Sequence, residues 1–153
     1  MDERICYFFS FLIEGLVFWN YVSILFVPKY STKIRFVCLS SGFFILFLSS
    51  LHNVFLLNCI LYTTVCFLYL IFLYKTSWYY ALFHSLLFEV LTGACELPVY
   101  SFLSTFLTSA SLRAADFHLK LLFAVMSKTL FFAVMSVLLL WLKKRQKPFL
   151  QYD

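Results

Sequence analysis

Five long apolar runs, separated by short polar breaks, constrain this chain more than any other feature of its sequence. About 20 residues of α-helix cross the hydrocarbon core of a bilayer, and each run is near or above that length. Of the 153 residues, 63% are hydrophobic and only 12% are charged, about half the charged share of an ordinary soluble domain. We therefore predict an all-α, polytopic transmembrane bundle of about five helices, located in the cell membrane as a multi-pass protein.

The predicted spanning helices follow the run lengths and the breaks between them. They cover residues 5–27, 34–51, 54–74, 78–99 and 119–142. Residues 1–147 then form a single membrane-embedded helical domain, and residues 148–153 form a short cytoplasmic tail. We expect a tight helical hairpin at His52-Asn53, because the joint second and third runs are too long for one span. The fourth apolar run continues beyond Pro98, so we expect a kink or a helix end near that proline.

The lysines and arginines in the breaks and near the ends of the runs are distributed unequally between the two sides of the membrane. With five crossings, one side holds eight of them: Lys29, Lys33, Arg35, Lys75, Lys143, Lys144, Arg145 and Lys147. The other side holds three: Arg4, Arg113 and Lys120. The positive-inside rule therefore predicts an outside N-terminus and a cytoplasmic C-terminus. Trp78 and Trp141 then both fall at the cytoplasmic interface, which is where indole rings prefer to lie.

Several classes of function have no support in the motifs. The net charge of +5 sits in short clusters between apolar runs, so nucleic acid is not an expected partner. The sequence contains no Gly-rich phosphate loop, no CxxC pair and no metal-ligand spacing, and we expect no cofactor and no metal. His84 and Cys95, eleven residues apart, would lie about 16 Å apart on one helix. They form no peptidase dyad unless that helix breaks, so we expect no enzyme.

Four ionisable residues lie inside the apolar runs, where a charge is expensive and tends to find a partner. Glu89 and Glu96 are seven residues apart and share a helix face. Lys128 lies at a comparable depth on the fifth helix, so we predict that helices four and five pack together through a contact of Lys128 with Glu89 or Glu96. Glu14 has no obvious partner, and we interpret it as structural or as an unpaired, protonated group.

These residues support three alternative roles: polar contacts between helices, the lining of a ligand pocket, or a proton or ion path. For the pocket, the candidate ligand-binding residues are Glu89, Glu96, Tyr100, Arg113 and Lys128. Because Pro98 frees a backbone carbonyl, an outward-open cavity near it is also expected. Its predicted border is Glu96, Tyr100, Arg113 and His118.

The order of three segments resembles a known family. The segment Tyr74 to His84 (YKTSWYYALFH) leads into the helix that carries Glu96; Leu122 to Lys128 (LFAVMSK) follows, and the fifth run then ends in Lys143-Lys144-Arg145. From about Trp19 to Lys147, this order resembles the membrane-embedded sensor region of GHKL-type, accessory-gene-regulator-like sensor histidine kinases of Gram-positive bacteria.

In that family the membrane helices bind an extracellular peptide, and a cytoplasmic region with the phosphoacceptor histidine and the ATP-binding domain follows. This sequence contains neither of those kinase elements. The resemblance therefore implies a sensor module of a two-component, quorum-sensing type without its catalytic kinase domain. Any kinase activity would need another chain or a continuation.

The leading hypothesis is thus a membrane receptor module. Its alternatives are a small transporter or substrate-binding membrane subunit, a membrane peptidase, and an assembly protein without a ligand. The expected partners are the lipid bilayer and an extracellular peptide ligand, with a homodimer left as an open alternative.

Overall fold

The computed structural model of this chain describes residues 3–50, 55–106 and 117–145. These ranges contain five α-helices: α1 Glu3–Leu25, α2 Thr32–Ser50, α3 Phe55–Leu73, α4 Trp78–Phe106 and α5 Phe117–Arg145. Each helix is long and apolar enough to cross a membrane. The predicted all-α, polytopic bundle is confirmed, and the chain has the architecture of a multi-pass membrane protein.

The helix ends agree with the sequence-based boundaries to within three residues, except at the end of α4. That helix was predicted to end at residue 99, and this is wrong, because it continues through Pro98 to Phe106. Proline removes one backbone donor, but in lipid every other backbone group still has to be bonded within the helix. One missing hydrogen bond therefore does not end a membrane helix. The predicted turn at His52-Asn53 lies outside the described residues.

The five helices form a ring in chain order. Each packs against its neighbour along the chain, and α5 packs against both α4 and α1, which closes the ring. Close approach of α2 and α3 depends on Gly42, since a Cβ atom added there would lie 2.8 Å from Cγ1 of Val65. Small residues at such crossings are typical of helices packed in membranes.

Aromatic side chains fill the centre of the ring, and large apolar side chains cover its outside. Phe88 of α4 is completely buried, and its ring makes edge contacts with Phe18 of α1 and Phe131 of α5 at centroid distances of 5.0 and 5.4 Å. By contrast, Leu56 and Leu140 are each 68% exposed. An apolar outer surface of this kind suits lipid as the surrounding solvent.

A short backbone pairing joins the chain just after α1 to the chain just after α3. Pro28 and Tyr74 form an isolated antiparallel bridge. The amide of Lys29 donates to the carbonyl of Leu73, and the amide of Lys75 donates to the carbonyl of Val27, both at 2.9 Å. We call this end of the bundle the bridge end. The basic breaks around Lys29 and Lys75 thus lie at one end, as the charge count requires.

Arg35 is the centre of the packing at the bridge end. It lies in the first turn of α2 and is buried. Its guanidinium donates to the hydroxyl of Tyr74 at 2.8 Å, and its carbon Cζ lies 5.0 Å from the ring centre of Trp19 and 5.3 Å from that of Tyr74. A desolvated cation–π contact contributes about 2 kcal/mol. Arg35 therefore ties together α1, α2 and the end of α3.

The predicted orientation can be tested by labelling single cysteines introduced into a variant without the five native ones. A membrane-impermeant maleimide added to intact cells should label Asn53→Cys, whereas Lys75→Cys should react only after permeabilisation. Lys29→Cys is the matched control and should behave as Lys75→Cys does, because the two positions adjoin the same backbone bridge. Labelling of residue 53 only from the cytoplasm would overturn the orientation.

Candidate ligand-binding site

A cavity of about 360 Å³ lies among α1, α2, α3 and α4. It is in the half of the bundle away from the bridge end, close to the end of α2 and the beginning of α3. Cavities of this size are typical of sites for small ligands or for one group of a larger ligand. Its polar lining residues are Glu14, Ser49, Asn58, Glu89, Thr92 and Glu96. We call it the acidic cavity.

One lysine joins two of these carboxylates. The ammonium of Lys128, on α5, forms ion pairs with Glu14 of α1 and with Glu96 of α4, the latter at 2.6 Å. The side chains of Lys128 and Glu14 are buried, whereas that of Glu96 is 41% exposed. The ion pairs therefore connect three helices, and Glu96 presents part of its carboxylate to the cavity.

This geometry confirms one prediction and corrects another. The predicted packing of α4 against α5 through Glu96 and Lys128 is confirmed. The interpretation of Glu14 as unpaired is wrong, since it is the second partner of Lys128. The sequence indicates how deep each residue lies, but α1 becomes a neighbour of α5 only when the ring closes.

The predicted alternative contact, between Glu89 and Lys128, is not formed, and Glu89 has another partner. Its carboxylate accepts a hydrogen bond from the hydroxyl of Thr63 on α3. Within the described part of the chain, the ion pairs of Lys128 go to Glu14 and Glu96 and not to Glu89. The seven-residue spacing nevertheless places Glu89 and Glu96 on the same wall, because both line the acidic cavity.

Tyr62 adds an unpaired polar group to the same cavity. Its side chain is buried, and its hydroxyl has no hydrogen-bond partner. The ring is held in place by stacking on Phe88 at a centroid distance of 6.3 Å and by an edge contact with Phe43 at 5.9 Å. Buried hydroxyls are nearly always hydrogen-bonded, and the groups nearest to this one are the side chains of Glu14 and Thr92, which also line the cavity. Sequence reasoning missed it, because one tyrosine among ten gives no signal.

The other predicted binding residues lie elsewhere. Tyr100 follows Glu96 by one turn on α4, is 54% exposed and is not part of the acidic cavity's lining. The side chains of Arg113 and His118 lie outside the part of the chain that the structure describes. Their roles in binding stay predictions.

His84 and Cys95 occupy separate positions on α4, which is continuous between them. The ring nitrogen Nδ1 of His84 lies 2.6 Å from the hydroxyl oxygen of Tyr21, so the histidine links α4 to α1. Cys95 is buried. The prediction that these two side chains do not form a dyad is confirmed. Among the described residues, no group of three or more His, Cys, Asp or Glu side chains could hold a metal ion.

A second cavity, of about 580 Å³, lies between α1 and α2. Phenylalanines and leucines form most of its wall, with Ser40 and Ser41 as its hydroxyl groups. It lacks the charged side chains that would orient a polar ligand, so the acidic cavity is the better candidate for recognition.

Comparisons of this chain with protein-family models, with curated proteins and with solved structures find no match.

Proposed function

We propose that this chain is a membrane-embedded sensor module that binds an extracellular ligand in the acidic cavity and transmits the event through α5. One observation carries the proposal: Glu96 lines the cavity and also pairs with Lys128. A ligand that contacts Glu96 therefore acts on a side chain of the fifth helix. The sensor regions that this sequence resembles have the same task, which is to connect an outer ligand to an inner output domain.

The position of the acidic cavity supports access from outside. It lies away from the bridge end, and the bridge end carries the basic breaks that the positive-inside rule assigns to the cytoplasm. In that orientation the cavity is in the outer half of the bilayer. A ligand would reach it without crossing the membrane.

The two ion pairs of Lys128 suggest how binding could be transmitted. Glu14 is buried, whereas Glu96 is partly exposed, so a ligand reaches Glu96 first. When the ligand engages Glu96, Lys128 keeps Glu14 as its partner, and the balance of attraction on α5 moves from α4 toward α1. A ligand shifts an equilibrium between two arrangements only by binding them differently. We propose that α5 is the element with two arrangements, one closer to α4 and the other closer to α1.

A chimaera tests the proposed function. Residues 1–147 are fused to the cytoplasmic domain of a related sensor kinase, and cells that carry a matching reporter are exposed to spent medium of the source organism. We expect reporter output to change with the medium, and we expect Glu96→Gln to abolish most of the change, since it removes the charged contact between the cavity and α5. Thr64→Val is the matched control, because Thr64 is exposed and its hydroxyl donates to the carbonyl of Ile60 in its own helix.

Two results would count against a sensor. The first is a well-expressed, correctly inserted chimaera that never responds. The second is a response that Glu96→Gln leaves at its full size, because the cavity would then not be the site through which the ligand acts.

A further inference from the structure

The acidic cavity has more negative than positive charge around it. Three carboxylates, those of Glu14, Glu89 and Glu96, line the cavity, and a single ammonium, that of Lys128, pairs with two of them, Glu14 and Glu96. With all four groups ionised, their formal charges leave two negative charges uncompensated. A charged group inside the bilayer tends to pair with an opposite charge, so the cavity favours a cation.

One of these two uncompensated charges can be assigned to a particular carboxylate. Lys128 neutralises the buried Glu14 and contacts one oxygen of Glu96. Glu89 accepts a hydrogen bond from the neutral hydroxyl of Thr63, and within the described residues it has no ion pair. Glu89 therefore carries one of the two uncompensated charges by itself, and the other is shared by Glu14 and Glu96, which have one ammonium between them.

Two further polar groups of the protein indicate what the rest of the ligand should carry. The hydroxyl of Tyr62 is buried beside Glu14 and Thr92 without a well-formed hydrogen bond to either, and the exposed part of the Glu96 carboxylate can accept a second hydrogen bond. Glu96 lies about 10 Å from Glu89 along the helix axis. Phe11, Leu46 and Val90 complete the wall with apolar surface. The cavity thus offers the carboxylate of Glu89 to a cation, hydrogen-bonding groups at Glu96 and Tyr62, and apolar wall surface to the rest of the ligand.

We propose that the ligand of the acidic cavity carries an ammonium group on an aromatic or apolar body, and that this ammonium pairs with Glu89 while a hydrogen-bond donor on the body reaches Glu96. This inference rests on the proposed function for its biological meaning, but binding can be measured without any signalling. Charge-assisted hydrogen bonds are about twice as strong as neutral ones, so the ammonium supplies most of the discrimination.

The test uses the full chain in nanodiscs of zwitterionic phosphatidylcholine and measures equilibrium binding of radiolabelled tryptamine. Tryptophol is the neutral comparison, because it replaces the ammonium by a hydroxyl on the same indole body. Empty nanodiscs correct for partitioning into lipid. We expect saturable binding of tryptamine, and binding of tryptophol weaker by about tenfold or more.

Four variants locate the bound ammonium. Glu89→Gln should weaken tryptamine binding by about tenfold or more. Glu96→Gln and Tyr62→Phe should weaken it by a smaller factor, since each removes one hydrogen-bonding group. Thr64→Val, the exposed neighbour of Thr63, should bind as the wild type does. Glu89→Gln keeps an amide oxygen for Thr63, and Glu96→Gln leaves Lys128 paired with Glu14, so neither variant should fail to fold.

Three results would overturn the inference: tryptophol binding as tightly as tryptamine, tryptamine binding that Glu89→Gln leaves unchanged, or no saturable tryptamine binding by folded protein. The outcome is separable from that of the sensor proposal. Saturable binding with a silent chimaera would keep the ligand class and reject the sensor. A chimaera that responds, together with a protein that binds tryptamine no better than tryptophol, would keep the sensor and reject the ligand class.

Discussion

Replacing Lys128 with methionine is expected to lower the free energy of unfolding by about 3–5 kcal/mol, the usual effect of removing one partner from a buried ion pair. Methionine has a similar length and fills the space, so the loss arises mainly from charge. Glu14 would stay buried without its counter-charge, and α5 would lose its ion pairs to both α1 and α4. The measurement is equilibrium unfolding of the purified protein in mixed detergent micelles, where the unfolding midpoint should fall sharply.

Two companion variants separate this cause from a general effect of losing a lysine. Lys143→Met removes an exposed lysine near the end of the same helix and should change stability by no more than about 0.5 kcal/mol. Glu14→Gln added to Lys128→Met removes the stranded carboxylate and should restore more than half of the lost stability. A double variant as unstable as Lys128→Met alone would show that the stranded charge is not the cause.

Replacing Phe88 with alanine is expected to destabilise the bundle by about 3 kcal/mol, the lower end of the range for such truncations. The lower end applies because lipid is as apolar as the core. Truncation therefore removes packing contacts of the ring, but it does not remove a free energy of transfer from water. Phe88 is completely buried and contacts Phe18, Tyr62 and Phe131 on three other helices. The same unfolding measurement in micelles reports the change.

Phe83→Ala is the matched control for Phe88→Ala, because the two phenylalanines lie on the same helix and differ in burial. Phe83 is 58% exposed and faces the lipid side, so its truncation should cost no more than about 1 kcal/mol. Equal losses for the two variants would contradict the placement of Phe88 at the centre of the ring.

The helices of this protein could be predicted because lipid leaves the backbone so few choices. Polar backbone groups in the bilayer have to be bonded within the segment, so an apolar run of sufficient length becomes a helix. The end of α4 could not be located in this way. Pro98 was expected to mark it, yet the apolar residues beyond it continue the helix to Phe106.

Part of the candidate site was also accessible from the sequence. The spacing of Glu89 and Glu96 predicted a shared wall, which is found in the structure. The depth of Lys128 predicted a contact with Glu89 or Glu96, and in the structure the contact is with Glu96. Spacing and depth are properties of a single helix, so one sequence is enough to estimate them. The pairing of Glu14 with Lys128 is a property of two helices that are far apart in the chain.

The number of helices, the depth of their ionisable residues and the faces that those residues share follow from the order of the amino acids alone. Which helices meet depends on the fold: α5 closes the ring onto α1, Thr63 bonds Glu89, and Tyr62 is buried beside Glu14 and Thr92. A helix that is apolar on all sides has no separate apolar stripe, so its sequence does not indicate which face packs inside the bundle and which faces lipid. Neighbours are then chosen by close packing and by a few polar contacts.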